Sequence, residues 1–365
     1  MVEDTRKALL SLASYYRSLF DIPVVGLTGS VGKTTTKEFV ASVLSKGYNT
    51  LATKGNFNND IGVPLTIFGL EPSTEAAVVE MGMSNFGEIE VLSKCARPDI
   101  AIITNIGTSH IEFLGSQEGI LKAKTEIFKG LSKNGKVILN GDDPYLWGIK
   151  DSLEFDAIYF GMENPSCDLV ATDIKPDENG SLFKCEGKEY RINPVGVHNI
   201  YNALASIAVG KILGLSYEKI YAGLKAYVPG GIRQNIVSAK GYKVINDCYN
   251  SSPQSVKAAL GVLDTLAAQR RIAVLGSIGE LGEKSKELHL DIGTYVSDSK
   301  TDILITVGED AKYIAECAKC DQKYSFGTTD EAIELLGKLV KQDDAVLVKA
   351  SRFMKFEVIS EFLIH

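Results

Sequence analysis

The stretch 22-IPVVGLTGSVGKTTTKEFVASVLSKG-47 joins a β-branched apolar run, a glycine-rich turn and a helical pattern without interruption. The run 22-IPVVGLT-28 reads as a buried strand. Downstream, Phe39, Val40, Val43 and Leu44 recur at helical spacing, and the pattern stops at Gly47. A strand, a glycine-rich turn and a helix in this order aim backbone N–H groups and the positive helix end at phosphate oxygens. Lys33 supplies charge neutralisation, and the Thr34 hydroxyl suits Mg²⁺. The phosphate-binding residues expected are therefore Gly29, Ser30, Val31, Gly32, Lys33, Thr34 and Thr35. The spacing departs from G-x-x-x-x-G-K-[ST], because position 27 is Leu and the glycines fall at Gly26, Gly29 and Gly32. Without its strand and helix flanks, such a run reads equally well as an ordinary turn before a helix.

Composition bounds what surrounds this turn. The 365 residues suffice for two domains, and 45% hydrophobic with 23% charged residues is ordinary for a soluble chain. No apolar run approaches the ~20 residues of a membrane helix, and the first residues carry no signal-peptide core, so a cytoplasmic protein is expected. A formal net charge of −7 argues against a general nucleic-acid binder. The six cysteines are scattered. Cys317 and Cys320 form the one close pair, which lacks a second pair or a nearby His for zinc and reads as helix packing.

Short apolar runs separated by helical patterns follow along the chain: 76-AAVVEMG-82, 99-DIAIITNIG-107, 136-KVILNG-141, 271-RIAVLGS-277, 302-DILITVG-308 and 345-AVLVKAS-351. This pattern predicts parallel α/β sheets covered on both faces. Between about 151 and 195 the texture shifts to short alternating segments, expected as a small antiparallel insertion or sheet edge. Helices are predicted over 198–214 and 217–227, a hinge at 229-PGGIRQN-235, and a second α/β series from about 243.

Open α/β sheets bind ligands at the carboxyl ends of their strands. Glu80 ends 76-AAVVE-80 and is a candidate Mg²⁺ ligand, against the plainer reading of a solvated strand end. His110, one of four histidines, follows 100-IAIITNIGTSH-110 in a polar loop with Asn105 and Thr108, which favours a site role over a core one. Lys124 lies in a helical stretch with Lys122 and Lys129, where a solvated face is the default.

Beyond single residues, an ordered set of motifs spans nearly the whole chain: 28-TGSVGKTTTK-37, 53-TKGNFNNDIGVPLT-66, 80-EMGMSNFGEI-89, 103-ITNIGTSHIEFLGS-116, 123-AKTEIF-128, 196-GVHNIYNALAS-206, 246-NDCYNSSPQS-255, 275-LGSIGELGEKSKELH-289 and 348-VKASRFMKFE-357. This set resembles the Mur ligase family, and the runs 56-NFNNDIGVP-64 and 247-DCYN-250 look like its D-alanyl-D-alanine-adding branch. The family's phosphate loop is a shorter G-x-x-G-K-T form, matched by Gly29, Gly32, Lys33 and Thr34. The resemblance implies an α/β architecture: a connector helix over 1–21, a P-loop central ATPase domain with a parallel sheet over 22–232, and a Rossmann-like α/β domain over 233–365.

It also implies an ATP-dependent ligase with ATP and a pair of Mg²⁺ ions. The carboxylate of a UDP-N-acetylmuramoyl tripeptide would attack the γ-phosphate, and the amine of D-alanyl-D-alanine would then attack the acyl phosphate. A carboxylate and a triphosphate repel each other, so cations must screen and align both. By resemblance, Lys33 contacts the phosphates, Thr34 and Glu80 hold the first Mg²⁺, and His110 serves the second metal. Lys124 matches a position that many members carry as a carbamate. Asn199 and Asn202 match adenine-side contacts, with helix capping as the plainer role for Asn199. Arg233 and Asp247 match residues reaching ATP from the hinge and the last domain. Asn58 and Asn59, with Tyr249, Asn250, Ser251, Lys349, Ser351 and Arg352, match substrate-facing loops.

Two departures stand out. The family's glycine in the last motif is Ala350 here, and the chain opens on 2-VEDTRKALLSLASYYRSLF-20, which looks like a connector out of an N-terminal UDP-binding domain. The expectation is a monomer acting on small molecules, with no nucleic-acid or membrane partner, and three readings of the opening stay open: a truncated form, a natural two-domain form, or a protein whose UDP-binding part another chain supplies. Its apolar helix face (Leu9, Leu10, Leu12, Ala13, Tyr16, Leu19, Phe20) is then expected to be partly exposed. Alternatives left open are a two-domain ligase of the folylpolyglutamate type, against which 56-NFNNDIGVP-64 argues, and an inactive ATP-binding subunit.

Overall fold

The computed structural model describes residues 1–229 and 234–365, which form two compact units: Met1–Lys175 with Ser181–Val228, and Pro176–Gly180 with Pro229–His365. Arg233, expected at the nucleotide, lies outside the described residues together with the hinge glycines Gly230 and Gly231.

In the first unit the strands are β1 (Val24–Thr28), β2 (Thr50–Ala52), β3 (Ala76–Glu80), β4 (Ile100–Ile103), β5 (Lys136–Asn140), β6 (Asp156–Gly161), β7 (Leu169–Asp177), β8 (Gly180–Cys185) and β9 (Lys188–Ile192). They form one sheet in the order β2-β3-β1-β4-β5-β6-β7-β8-β9. The pairings from β2 through β7 are parallel where registered, and β8 and β9 close the far end as an antiparallel pair. The change of texture after residue 151 is thus a sheet edge. All residues of β1, β3 and β4 are buried, as required of parallel strands covered on both faces.

The helices of this unit used below are α1 (Thr5–Arg17), α2 (Lys33–Leu44), α3 (Gly62–Ile67), α4 (Glu88–Ala96), α5 (Ile111–Leu114), α6 (Gln117–Thr125), α7 (Pro144–Gly148), α8 (Asn199–Ile212) and α9 (Tyr217–Ala226). Helix α2 lies against α8 and α9, and Phe39, Val40, Val43 and Leu44 join Ile200, Leu204, Ile207 and Leu224 in the core. Helix α1 starts at Asp4, whose carboxylate accepts from the Arg6 and Lys7 amides (2.9 and 3.0 Å). It packs against α3 and α4 through buried Ala13 and Arg17, while Leu12, Tyr15 and Leu19 stay exposed.

The second unit holds β10 (Asn235–Ala239), β11 (Tyr242–Asn246), β12 (Arg270–Gly276), β13 (Ile303–Val307), β14 (Gln322–Phe326) and β15 (Asp344–Lys349), in the sheet order β10-β11-β15-β12-β13-β14. Among the described residues of this unit, only the β10–β11 pair is antiparallel. Its two-residue turn, Lys240-Gly241, has φ of 51° and 86°, the left-handed pair that a tight hairpin needs. Helices α10 (Pro253–Thr265), α11 (Ser285–Asp298), α12 (Lys312–Cys317), α13 (Thr329–Leu339) and α14 (Glu357–Ile364) complete the unit. Helices α10 and α13 start on reciprocal caps, Ser252 with Ser255 and Thr328 with Glu331.

Candidate phosphate and metal site

The glycine-rich turn leaves β1 at Thr28 and enters α2 at Lys33. A Cβ on Gly29 would lie 1.8 Å from Thr104 Oγ1, and Gly32 combines φ +84° with a Cβ position 2.9 Å from Asn202 Oδ1. No other residue type fits either place without displacement. The loop is fastened from the neighbouring strand. The amides of Ser30 and Val31 donate to the carbonyl and side-chain oxygens of Asn105 (3.1 and 3.0 Å), and Thr104 Oγ1 donates to the Val31 carbonyl (2.6 Å). The Gly107 amide donates to Ser30 Oγ (2.8 Å). The run expected as a strand over 99–107 accordingly ends at Ile103, because Thr104, Asn105 and Gly107 turn to hold this loop.

From the other side, Thr36 Oγ1 donates to Asn202 Oδ1 (2.8 Å), Asn202 Nδ2 to Asn199 Oδ1 (3.1 Å), and Asn199 Nδ2 to the Val195 carbonyl (2.9 Å). Asn199 and Asn202 are buried, and both amides take part in a chain that ends on the phosphate loop and its helix. Asn199 is the first residue of α8 rather than its cap, a place taken by His198.

Because β3, β1 and β4 are adjacent, their carboxyl ends bring three sets of groups together. Glu80 ends β3 and is 1% exposed. Its Oε1 accepts from Asn58 Nδ2 (2.8 Å) and Thr34 Oγ1 (3.3 Å), while Oε2 has no hydrogen-bond partner. A buried carboxylate oxygen left open beside a threonine hydroxyl matches the oxygen ligands that Mg²⁺ takes. Among the described residues no group of three or more His, Cys, Asp and Glu could hold a metal by itself. Asn58, expected at the substrate, donates to Glu80, and the Asn59 side chain accepts from the Ile61 and Gly62 amides (3.2 and 2.9 Å) at the start of α3.

Lys33 Nζ donates to the Gly29 carbonyl (2.7 Å), lying over the loop. His110 heads α5 in a left-handed conformation, φ 64°, and is half-buried. Lys124 is 2% exposed on α6, so the solvated-face reading fails. Burial pushes its amine well below the usual lysine value of 10.5, and the Lys33 cation adds repulsion.

The second unit is built differently. Lys349, at the end of β15, is 2% exposed, and its Nζ donates to Asp247 Oδ2 (2.7 Å), the Asn250 carbonyl (3.1 Å) and the Asp247 carbonyl (3.4 Å). Lys349 thereby ties the 247–250 loop to the sheet. Asp247 also accepts from the Gln234 amide (3.1 Å). Ser351 Oγ accepts from the Gly279 amide (3.0 Å), and the Arg352 guanidinium lies 5.9 Å from the Tyr249 ring centre. Ser251 Oγ is buried without a hydrogen-bond partner. Ala350 is fully buried, and Gly276 makes room for it: a Cβ there would be 2.6 Å from the Ala350 Cβ. His289, not singled out from sequence, accepts from the Ile278 amide at Nε2 (3.1 Å) and places Nδ1 2.7 Å from the Ser285 carbonyl, which fixes the loop that reaches Ser351.

A phosphate-loop α/β unit followed by a second parallel α/β unit defines a class of nucleotide-dependent enzymes. The model of the Mur ligase middle domain matches residues 27–210, and that of the Mur ligase glutamate ligase domain matches residues 232–352. The chain belongs to the Mur ligase family. It is 39% identical to the UDP-N-acetylmuramoyl-tripeptide--D-alanyl-D-alanine ligase of Bacillus subtilis (strain 168), over 100% of this chain and 80% of that protein. The corresponding ligase of Escherichia coli (strain K12) is 34% identical, over 98% and 80%. Among solved structures, MurF from Acinetobacter baumannii superposes with a TM-score of 0.93 at 34% identity, covering 100% of this chain and 81% of that one. MurF ligase from Thermotoga maritima in complex with ADP gives 0.90 at 30%, covering 100% and 84%. A Mycobacterium tuberculosis folylpolyglutamate synthase, at 16% identity and a TM-score of 0.77 over 98% and 95%, shares the fold.

Proposed function

We propose that this chain is an ATP-dependent, ADP-forming ligase that joins D-alanyl-D-alanine to a UDP-N-acetylmuramoyl tripeptide during peptidoglycan precursor synthesis. The observation that carries the reading is the open, buried Oε2 of Glu80 beside Thr34 at the mouth of the phosphate loop. The relatives' names supply the substrates.

In the reaction, a tripeptide carboxylate oxygen bonds to the γ-phosphorus while the β–γ bridging bond breaks and ADP leaves. The dipeptide amine then bonds to the acyl carbon, loses a proton, and the carbon–oxygen bond to phosphate breaks. Thr34 and Glu80 would hold one Mg²⁺, and His110 with Lys124 a second; these ions supply positive charge where carboxylate and triphosphate meet. Lys33 moves from the Gly29 carbonyl onto the β- and γ-phosphates. Burial lowers the hold of the Lys124 amine on its proton and so favours the neutral form that adds to CO₂: nitrogen bonds to carbon as one C=O π bond opens, a proton leaves to water, and a neutral amine becomes an anionic carbamate. Asn199 and Asn202 shape the adenine side through the loop they brace, and within the second unit Lys349 holds Asp247. The family pattern supports a dipeptide-facing role for the loops that carry Tyr249, Asn250, Ser251, Lys349, Ser351 and Arg352. We place the reaction in the cytoplasm, carried out by a monomer, and recognition of the uridine end on a further domain or a partner chain. Among the described residues no helix is long and apolar enough to cross a membrane.

The test is isotopic. Tripeptide labelled with ¹⁸O in its terminal carboxylate should transfer one label to inorganic phosphate for each amide formed. Unlabelled phosphate alongside amide formation would overturn the acyl-phosphate route.

A further inference from the structure

Lys37 lies one helical turn beyond Lys33 on α2 and is 2% exposed. Its Nζ stands 4.0 Å from Glu80 Oε2 and 3.8 Å from Glu38 Oε1, and donates to the Gly55 carbonyl at 3.4 Å. The two carboxylates differ in kind, because the Glu38 side chain is 44% exposed and that of Glu80 is 1% exposed. Water screens the Glu38 pair. The Glu80 pair is enclosed, and a carboxylate buried without an opposite charge is costly.

The distance has a second consequence. At 4.0 Å the ammonium compensates the charge of Glu80 without donating a hydrogen bond to Oε2, which has no other partner. Oε1, by contrast, is committed to Asn58 and Thr34. The carboxylate is therefore aimed by Oε1, balanced by Lys37 and left open at Oε2. A cation this close repels a bare divalent ion, whereas an ion arriving with a triphosphate brings its own negative charge.

We propose that Lys37 is a positioning residue that serves as the resident counter-cation of Glu80, stabilising the empty carboxylate and holding down its affinity for bare Mg²⁺ so that the metal enters with the nucleotide. The proposal rests on the assignment of Mg²⁺ to Thr34 and Glu80. A purely structural Lys37, bridging α2 to the loop around Gly55, would affect stability but would not change the response to metal.

The experiment uses the full chain and variants K37M and K37R, reading thermal unfolding midpoints and Mg²⁺ titrations without nucleotide. K37M should melt lower than the parent in chelator and be raised more by MgCl₂, with half-saturation at a Mg²⁺ concentration on the order of tenfold lower. K37R should stay near the parent. An equal or weaker Mg²⁺ response in K37M overturns the counter-cation role. A control separates this from the underlying assignment: if Mg²⁺ fails to strengthen ADP binding to the parent, the metal site falls and the proposal with it. Should K37M not fold, K37M/E80Q should, since the unpaired carboxylate is gone; if the double variant also fails to fold, the idea is overturned.

Discussion

Lys124 and Lys349 are each 2% exposed, yet one sits beside a cation and the other beside an anion. Lys124 has Lys33 as its charged neighbour, and its amine is driven toward the neutral form. Lys349 meets Asp247 at 2.7 Å and two backbone carbonyls, so all three of its protons have takers. Burial alone therefore does not mark a functional lysine; the partner decides. In the first unit, polar groups at the strand ends are left open, as Glu80 Oε2 is, and such groups call for a ligand. In the second, Asp247, Lys349 and His289 are spent on fixing loops, and they act through the residues those loops carry.

The sharpest way to break this contrast is to remove each lysine. Lys124→Met should lower ligation on the order of 10³-fold, the scale of losing a group that acts on the reacting charges, while the unfolding midpoint holds or rises. A variant that ligates normally would return Lys124 to a packing role. Lys349→Met should instead cost about 3 kcal/mol in denaturant unfolding, because the Asp247 carboxylate loses its partner. Full stability with lost activity would make Lys349 a substrate contact and erase the distinction.

A smaller effect is expected at Asn58. Asn58→Ala frees Glu80 Oε1 from one of its two donors and should weaken Mg²⁺-dependent ADP binding about tenfold, as loss of an orienting neighbour does. Calorimetric titration that shows unchanged Mg²⁺ dependence would leave Asn58 with the substrate role suggested by its motif. The smallest effect concerns His289, whose burial holds its imidazole below the ordinary value of 6.5. The unfolded chain then takes up a proton that the folded chain refuses. Stability should fall as pH drops below 6.5 through the depressed folded value, by at most about 1.4 kcal/mol per pH unit, and should flatten in His289→Gln. Equal acid slopes in parent and variant would show that His289 is not the group responsible.

What could be read from sequence follows how local each signal is. The 22–47 stretch shows its strand, turn and helix because all the cues lie within it. Glu80 is legible as the end of an apolar run. The motif set carries the family and the pairing of Glu80 with Thr34, 46 residues apart. The support is not legible. Asn202 holds Thr36, just past the phosphate loop, from 166 residues away, and Lys349 reaches Asp247 across 102 residues, pairings created only by sheet order and helix packing. Nothing local reveals that the Asn58 amide turns to Glu80. The run expected as a strand over 99–107 stops at Ile103 for a similar reason: Thr104, Asn105 and Gly107 spend their polar atoms on a loop far away in sequence.

The most direct test of the ligase reading is to incubate the chain with ATP, Mg²⁺ and UDP-N-acetylmuramoyl tripeptide, with and without D-alanyl-D-alanine, following ADP and the product mass together. Dipeptide-dependent ADP release is expected, with one ADP for each pentapeptide formed. ATP binding with neither ADP release nor pentapeptide, or ADP release that ignores the dipeptide, would contradict the ligase reading.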